Sequence, residues 1–546
     1  MKKINLYLSL IVLLASSCLD LDLEPRSTLT NSIFWKQSSD FQKACNELYF
    51  GLSYFPNDSY SEVMSGSSLN TVSNSQYVPT ENDGVWNDSY AYIRLANSII
   101  EEYEKCDIKD EAAAYMGEAL FFRAYNYFNL YKKFGPVPIV KSVLDVDSPE
   151  LMAGRNSQIE VEDFILDDLN KAMNYLPVNV DDINKGRITQ SIAMAFKSRV
   201  ALYIGTWAKY HGHRSDYVDV LHEATEAASF VISSTNPKYQ LFTEKGNESY
   251  RYLFIEEGDD SSESILDNRF YFNIRTHGNT YGYAWGTSGF PTKKLADTYL
   301  CIDGLPIEKS PLFKGYETTV SEYENRDPRM LMTFIVPGSA ILTSEVSEPF
   351  VPSYSFSDRP ETKSGYRFHK YIGEKYYSKV GLCEYDCRVI RFGEVLLNYI
   401  EAKFEADGKV TDDDLNLTIN ALRKRAGMPT ELSNQFVSSN GLDMLTEIRR
   451  ERTVELANEG FRFDDLRRWK TAEVEMSQSL RGVKIKGTEW EEKIDISKLV
   501  LDDEGFVLLE PASEREFKSP QHYLFPLPLQ QVAMNPNLLP NNPGWE

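Results

Sequence analysis

GEALFFRAYNYFNLYKKFGPVPIV, residues 117–140, is the stretch from which the fold can be read. Leu120, Ala124, Tyr127 and Tyr131 recur at the i, i+4, i+7, i+11 spacing of one helical face, and Phe121, Tyr125 and Phe128 form a second stripe beside it. A helix apolar around so much of its girth must lie between other helices. Phe134, Gly135, Pro136 and Pro138 end it, because glycine and proline do not continue a helical run.

The same texture extends outward on both sides. One helix carries Ile165, Leu169, Ala172, Met173 and Leu176 and ends at Pro177; another carries Ile192, Ala195, Phe196, Val200 and Tyr203. Far downstream, Gly393, Leu397, Ile400 and Phe404 repeat the spacing, followed by helices near 413–427 and 443–460. Small residues (Ala119, Ala124, Ala193, Ala195, Ala402) alternate with aromatics, as in tetratricopeptide-like helix pairs, although no strict repeat period is visible. Between 235 and 388, and again from 476 onward, Gly, Pro, Ser, Asn and Asp are dense and apolar runs are short, which predicts loops and short strands. The expected fold is mainly α. A tetratricopeptide-like helical scaffold over 36–234 and 389–475 carries an inserted loop-rich subdomain with short strands at 235–388, then a loop-rich segment at 476–546.

The N-terminus reads as an export signal. Lys2 and Lys3 precede an apolar run from Leu6 to Ala15, and Ala15, Ser16 and Ser17 lead into Cys18. Small residues before a cysteine resemble a bacterial lipobox, which predicts a signal peptide over 1–17, a lipid anchor on Cys18 and a tether over 18–35. The leucine usual three places before the cysteine is replaced by Ala15, with Leu14 one place further out. Acyl chains would hold the protein on a membrane without crossing it. No later stretch approaches the roughly 20 apolar residues of a spanning helix.

A net charge of -23 over 546 residues argues against a nucleic-acid partner, which would demand a basic footprint. Neither a G-x-S-x-G, an H-E-x-x-H, a P-loop nor a dinucleotide fingerprint occurs. His211 and His213 lack a third ligand nearby, and Asp412–Asp414 and Asp502–Glu504 lack calcium-loop spacing, so no metal or cofactor is expected. Cys45, Cys106, Cys301, Cys383 and Cys387 read as small buried hydrophobes. Glycosidase-type carboxylate pairs remain open among 81 acidic residues, because the fold sets their separation.

Many segments then point one way: CLDLDLEPRSTLTNSIFW, YAYIRLANSIIEEYE, the 117–140 stretch, GRITQSIAMAFKSRVALYIGTW, FPTKKLADTYLCIDGLPI, NRDPRM, VIRFGEVLLNYIEAKFEA, INALRKRAGMP, RRERTVELANEGFRFDDLRRWK and LFPLPLQQVAMNPNLLPNNPGWE. In order and almost end to end, they resemble the SusD/RagB family of outer-membrane nutrient-binding lipoproteins. The resemblance implies four tetratricopeptide-like helix pairs and a lipid anchor at Cys18 on the outer leaflet, facing the cell exterior. It also implies oligosaccharide cargo and a SusC-like TonB-dependent transporter barrel as partner. Within RERTVELANEGFRFDDLRRW, Arg452, Glu455, Glu459, Arg462, Asp465 and Arg468 can form a buried ion-pair lattice covered by Phe461 and Trp469, an architectural role.

Sugar rings present weakly apolar C–H faces and a fringe of hydroxyls, so a site needs exposed rings flanked by polar side chains. Two stretches qualify: Tyr54 to Asp83, with Tyr60 and Tyr77 as isolated aromatics, and HGNTYGYAWGTSGF at 277–290. The expected platform is Trp285 with Tyr283 or Tyr281 beside it and Asn279 at its edge, on a loop that Gly278, Gly282, Gly286 and Gly289 keep irregular, with Tyr77 as a further member. Three classes stay in play: a non-catalytic glycan binder with a leaning toward host mucin-type glycans, a glycan-cleaving enzyme, and a purely structural lid. Peptide or another nutrient is the alternative cargo.

Overall fold

The helices begin and end where their own residues satisfy the free backbone groups. In this computed structural model, residues 34–66, 69–285, 288–341, 364–374 and 381–545 are described; Cys18 and the tether before residue 34 lie outside them. Helix α1 (Ser38–Leu48) is closed by a Gln37–Asp40 capping box, and α2 (Gly84–Lys105) by the Asp83 carboxylate, which accepts from the N–H groups of Val85 and Trp86. The 117–140 stretch lies in α3 (Lys109–Phe134), which Gly135 ends at φ 67°. A Ser157–Glu160 capping box starts α4 (Gln158–Ala172); Thr189 starts α5 (Gln190–His211), and Gly212 ends it in the left-handed region. There follow α6 (Tyr217–Ile232), the short α7 (Asn279–Ala284), α8 (Phe392–Asp407), α9 (Asp412–Leu417), α10 (Ile419–Arg425), α11 (Met444–Glu455) and α12 (Arg462–Arg468).

Neighbouring helices pack in sequence, α2 on α3, α3 on α4 and α5 on α6, and the downstream α8 lies against both α5 and α6. Close approach depends on small residues: a Cβ on Gly205 of α5 would meet Leu221 Cγ of α6 at 2.7 Å. One core therefore joins Phe121, Phe196 and Leu221 to Val395 and Leu397 from beyond residue 388. A second core, built on Tyr250, Phe254, Tyr299, Phe334 and Tyr385, lies under the loop-rich region. Among the described residues, three short antiparallel pairs tie the loops down: β1 (Met64–Ser65) with β3 (Phe290–Pro291), β2 (Ser264–Asn268) with β4 (Cys387–Arg391), and β5 (Leu480–Lys484) with β6 (Phe506–Glu510). The protein is thus mainly helical, with few and short strands. The H-G-H pair is structural: His211 stacks on Trp207 at 4.1 Å, and His213 meets Glu162 at 2.6 Å.

Charged residues of the RERTVELANEGFRFDDLRRW segment form two buried clusters that draw partners from distant parts of the chain. Glu455 meets Arg425 at 2.5 Å, Arg391 at 2.8 Å and Arg329 at 3.1 Å, while Glu459 meets Arg391 at 2.8 Å and Lys370 at 2.7 Å. In the second cluster Asp465 binds Arg452 and Arg468, and Glu401 takes Arg468 at 2.5 Å and the Trp469 indole N–H at 2.6 Å. Burial pushes the Glu455 carboxyl up, but its three arginines outweigh burial and hold it well below the usual range. Burial of Lys370 wins against Glu459 and takes its ammonium down to about 8.

Beside β4, Asp386 is pushed up to about 7, first by burial and then by its neighbours Asp267 and Asp259. A folded-state value above the unfolded one of 3.8 means that ionisation destabilises the native state, with the penalty growing as pH rises and complete above about 7. Asp386→Asn keeps an oxygen for the Phe270 N–H, which the carboxylate accepts at 2.6 Å. Its melting temperature is expected to exceed the wild type's at pH 8 and to approach it near pH 4, read by thermal scans at both; equal differences at the two pH values contradict this.

Candidate functional site

Where α1 runs out into Tyr49–Gly51, the periodic face of Phe41, Cys45 and Leu48 turns inward and leaves Phe50 outside, 60% exposed. Phe50 forms one rim of an open cleft of about 550 Å³. Helix α2 contributes Asp88, Ser89 and Tyr92, and α3 contributes Asn126, Asn129, Lys132 and Lys133. Gly51 lets the Tyr92 ring lie against the backbone, since a Cβ there would stand 3.0 Å from Tyr92 Cε2.

Further aromatics line the cleft in a connected row. Tyr60, 49% exposed, has its centroid 5.8 Å from Phe463; Phe463 is 6.3 Å from Phe525, and Phe525 is 5.0 Å from Tyr77. Burial, then Asp83 and Tyr60, push the Tyr77 hydroxyl up to about 12, so it stays a neutral donor at ordinary pH. The charged groups are largely committed to one another: Lys132 pairs with Asp464 at 2.8 Å, Lys133 with Asp83 at 2.5 Å, and Arg467 with Asp464 at 2.5 Å. What faces solvent is a set of ring surfaces with amides, hydroxyls and the Asp88 carboxylate between them. Such a surface stacks on flat C–H faces and hydrogen-bonds the hydroxyls around them.

The residues chosen from sequence separate into two groups. Tyr77 and its stretch-mate Tyr60 line the cleft. None of residues 279–285 does. The expected irregular loop is instead the helix α7 over Asn279–Ala284, despite Gly278 and Gly282. It is held by tertiary contacts: the Thr280 hydroxyl accepts from the Gly373 N–H at 2.9 Å. Tyr283 corrects the expectation of an exposed ring: it is 6% exposed, stacks near-parallel with Tyr371 at 5.8 Å, and its hydroxyl accepts from Asn458 Nδ2 at 3.0 Å. Tyr281 and Trp285 lie together, centroids 5.9 Å apart, both half-buried, with Trp285 packed on the second core and Asn279 half-buried at the start of the helix.

Phe50, Tyr92, Phe463 and Asn129 were not singled out from sequence. Phe50 carried a usable signal, because it falls off the 41–45–48 face. Phe463 carried none, because it sits inside FRFDDLRRW, where every residue has an architectural reading.

A scaffold of paired helices that presents an open aromatic cleft, with Lys132, Lys133, Asp464 and Arg467 paired along its wall, has the geometry of a binding surface. Comparison with known proteins then places the chain. A family model described as "SusD family" matches residues 244–545, more than half of the chain, and a second, "Starch-binding associating with outer membrane", matches residues 27–202. The chain belongs to the SusD family. SusD-like protein P2 of Formosa agariphila is 25% identical over all of both chains. The crystal structure of a SusD-like carbohydrate binding protein from Bacteroides fragilis superposes with a TM-score of 0.76, at 22% identity, over 93% of this chain and all of that one. Surface glycan-binding protein A from Bacteroides thetaiotaomicron, solved in complex with laminarihexaose, gives 0.60 at 17% identity, over 92% of this chain and 99% of that one. Among the described residues no helix is long and apolar enough to cross a membrane.

Proposed function

We propose that this protein is a surface glycan-binding lipoprotein that captures oligosaccharides in the Phe50–Tyr60 cleft, hands them to a SusC-like TonB-dependent transporter and cleaves nothing. The observation that carries the reading is the pair of large, solvent-facing rings, Phe50 and Tyr60, on a cleft lined by further aromatics, amides and hydroxyls, most of whose charges are paired. The carbohydrate-binding neighbours support it. Laminarihexaose in one of them favours glycan over peptide cargo, and nothing favours a mucin-type glycan in particular.

A glycosidase acid needs a carboxyl raised toward neutrality. In the cleft, burial raises Asp464, but Lys132 and Arg467 outweigh it and hold it below the ordinary carboxylate range. Affinity electrophoresis through gels containing different polysaccharides tests the reading. Retardation with no shortening of the recovered glycan is expected; shortened products would make the protein an enzyme, and no retardation in any glycan would return it to a lid or a peptide carrier.

The anchor is part of the same proposal. Cys18→Ala should move the protein from the membrane to the soluble fraction, because acyl chains supply its membrane affinity. A variant that stays membrane-bound in cells lacking the transporter contradicts a lipid anchor at Cys18.

A further inference from the structure

Phe50 separates the cleft from a second cavity. The smaller one, about 270 Å³, shares Phe50 and Leu52 with the cleft, so a chain lying across the Phe50 ring would reach both. Its lining differs sharply in charge. Lys185, Arg187, Arg269 and Arg275 face it together with a single acidic residue, Asp267, in a chain whose net charge is -23.

The negative charge nearby is already spoken for. Asp267 is buried and bound to Arg388 at 3.2 Å. Lys185 and Arg269 share the Asp260 carboxylate at 2.9 and 3.1 Å, Arg269 also reaches Asp386 at 4.0 Å, and both cationic side chains remain about half exposed. Arg187 is satisfied by Glu118 at 2.7 Å. Arg275 has no carboxylate within ion-pair distance among the described residues. It lies over the Phe270 ring at 4.4 Å, donates to the Asn268 side-chain oxygen at 2.5 Å, and is half-buried. A guanidinium stacked on a ring is held in place, with part of its donor fork left for a planar or tetrahedral oxyanion.

We propose that this cavity receives an anionic substituent of the bound oligosaccharide, a carboxylate or a sulfate ester, with Arg275 and Arg269 as its cationic partners, so that the cargo is an acidic glycan. The inference rests on the glycan-binding reading above and adds the charge of the cargo to it. Phe50 then works as a divider: the sugar backbone stacks on the cleft side while the acidic group turns into the basic side. Selection comes from the cations, since a neutral sugar leaves them hydrated and gains nothing.

The test is calorimetric titration of the full mature chain in detergent with size-matched neutral, uronate-containing and sulfated oligosaccharides, for the wild type and for Arg275→Gln and Arg269→Gln. Arg269 is exposed enough that its replacement leaves folding intact if Arg275→Gln does not. Acidic oligosaccharides should bind better than neutral ones, and the preference should shrink about tenfold in either variant, the size of one charge-assisted contact. It should also fall as salt rises. The uronate and sulfate arms identify which acid is taken. Equal binding of neutral and acidic oligosaccharides, unchanged in the variants, overturns the inference while leaving glycan binding intact. Binding of none of them, neutral ones included, overturns the underlying reading and the inference with it.

Discussion

Glu455→Ala is expected to be the most damaging single substitution in the chain, lowering unfolding stability by about 3–5 kcal/mol. Three arginines, Arg329, Arg391 and Arg425, converge on this carboxylate, and all are buried. Removing it takes from each arginine one of its carboxylates, leaving Asp327 and Glu451 to Arg329, and Glu263 to be shared by Arg391 and Arg425 with Glu459 beside Arg391. The buried positive charge is then under-compensated, which costs far more than the intact cluster contributes relative to an apolar core. The effect is pH-dependent with a definite sign. The folded-state pKa of Glu455 lies below its ordinary 4.5, so its contribution is in place above about that pH and is lost as pH falls further. Urea denaturation at pH 7 and pH 4 reads both: the gap between variant and wild type should be wide at pH 7 and narrower in acid. A loss below about 1 kcal/mol at pH 7, typical of a surface pair, would mean the cluster is solvated.

The second large effect belongs to binding. The double variant Phe50→Ala/Tyr60→Ala should weaken glycan retention by at least about thirtyfold, taking roughly 1–3 kcal/mol for each of the two stacked rings by analogy with aromatic stacking on nucleic-acid bases. Its melting temperature should scarcely move, because both rings are largely exposed and surface substitutions usually cost little. The matching substitution of Trp285 tests the other surface: its partly buried ring packs on the second core, so Trp285→Ala should lower stability more than it lowers retention.

The helical scaffold was legible because local signals agree with global packing along most of it. In α3 the two aromatic stripes, the Gly135 stop and the flanking prolines all say the same thing, and the helix is buried nearly all round. The charge lattice was half legible. RERTVELANEGFRFDDLRRW shows charges too regular for a solvated face, but nothing local names Arg329, Arg391, Arg425 or Glu401 as partners, since the fold brings them from far along the chain. The segment over Asn279–Ala284 misled, because glycine weighs against a helix by only about 1 kcal/mol, and contacts such as Thr280 to Gly373 and Tyr283 to Asn458 decide the outcome there. The cleft was legible at Tyr60 and Tyr77, which sit in a polar stretch with no periodic reason for large rings. Its remaining walls come from α2, α3 and the C-terminal segment, where binding and packing residues look alike in sequence.

A crystal structure of the protein with an oligosaccharide that it retains on a gel tests the glycan-binding cleft most directly. A sugar ring stacked on Phe50 or Tyr60, its hydroxyls meeting Asn129, Asp88 or Tyr77 and its glycosidic bonds intact, is the expected result. A sugar bound over Tyr281 and Trp285 with the cleft left to solvent, or a cleaved product anywhere on the chain, would contradict it.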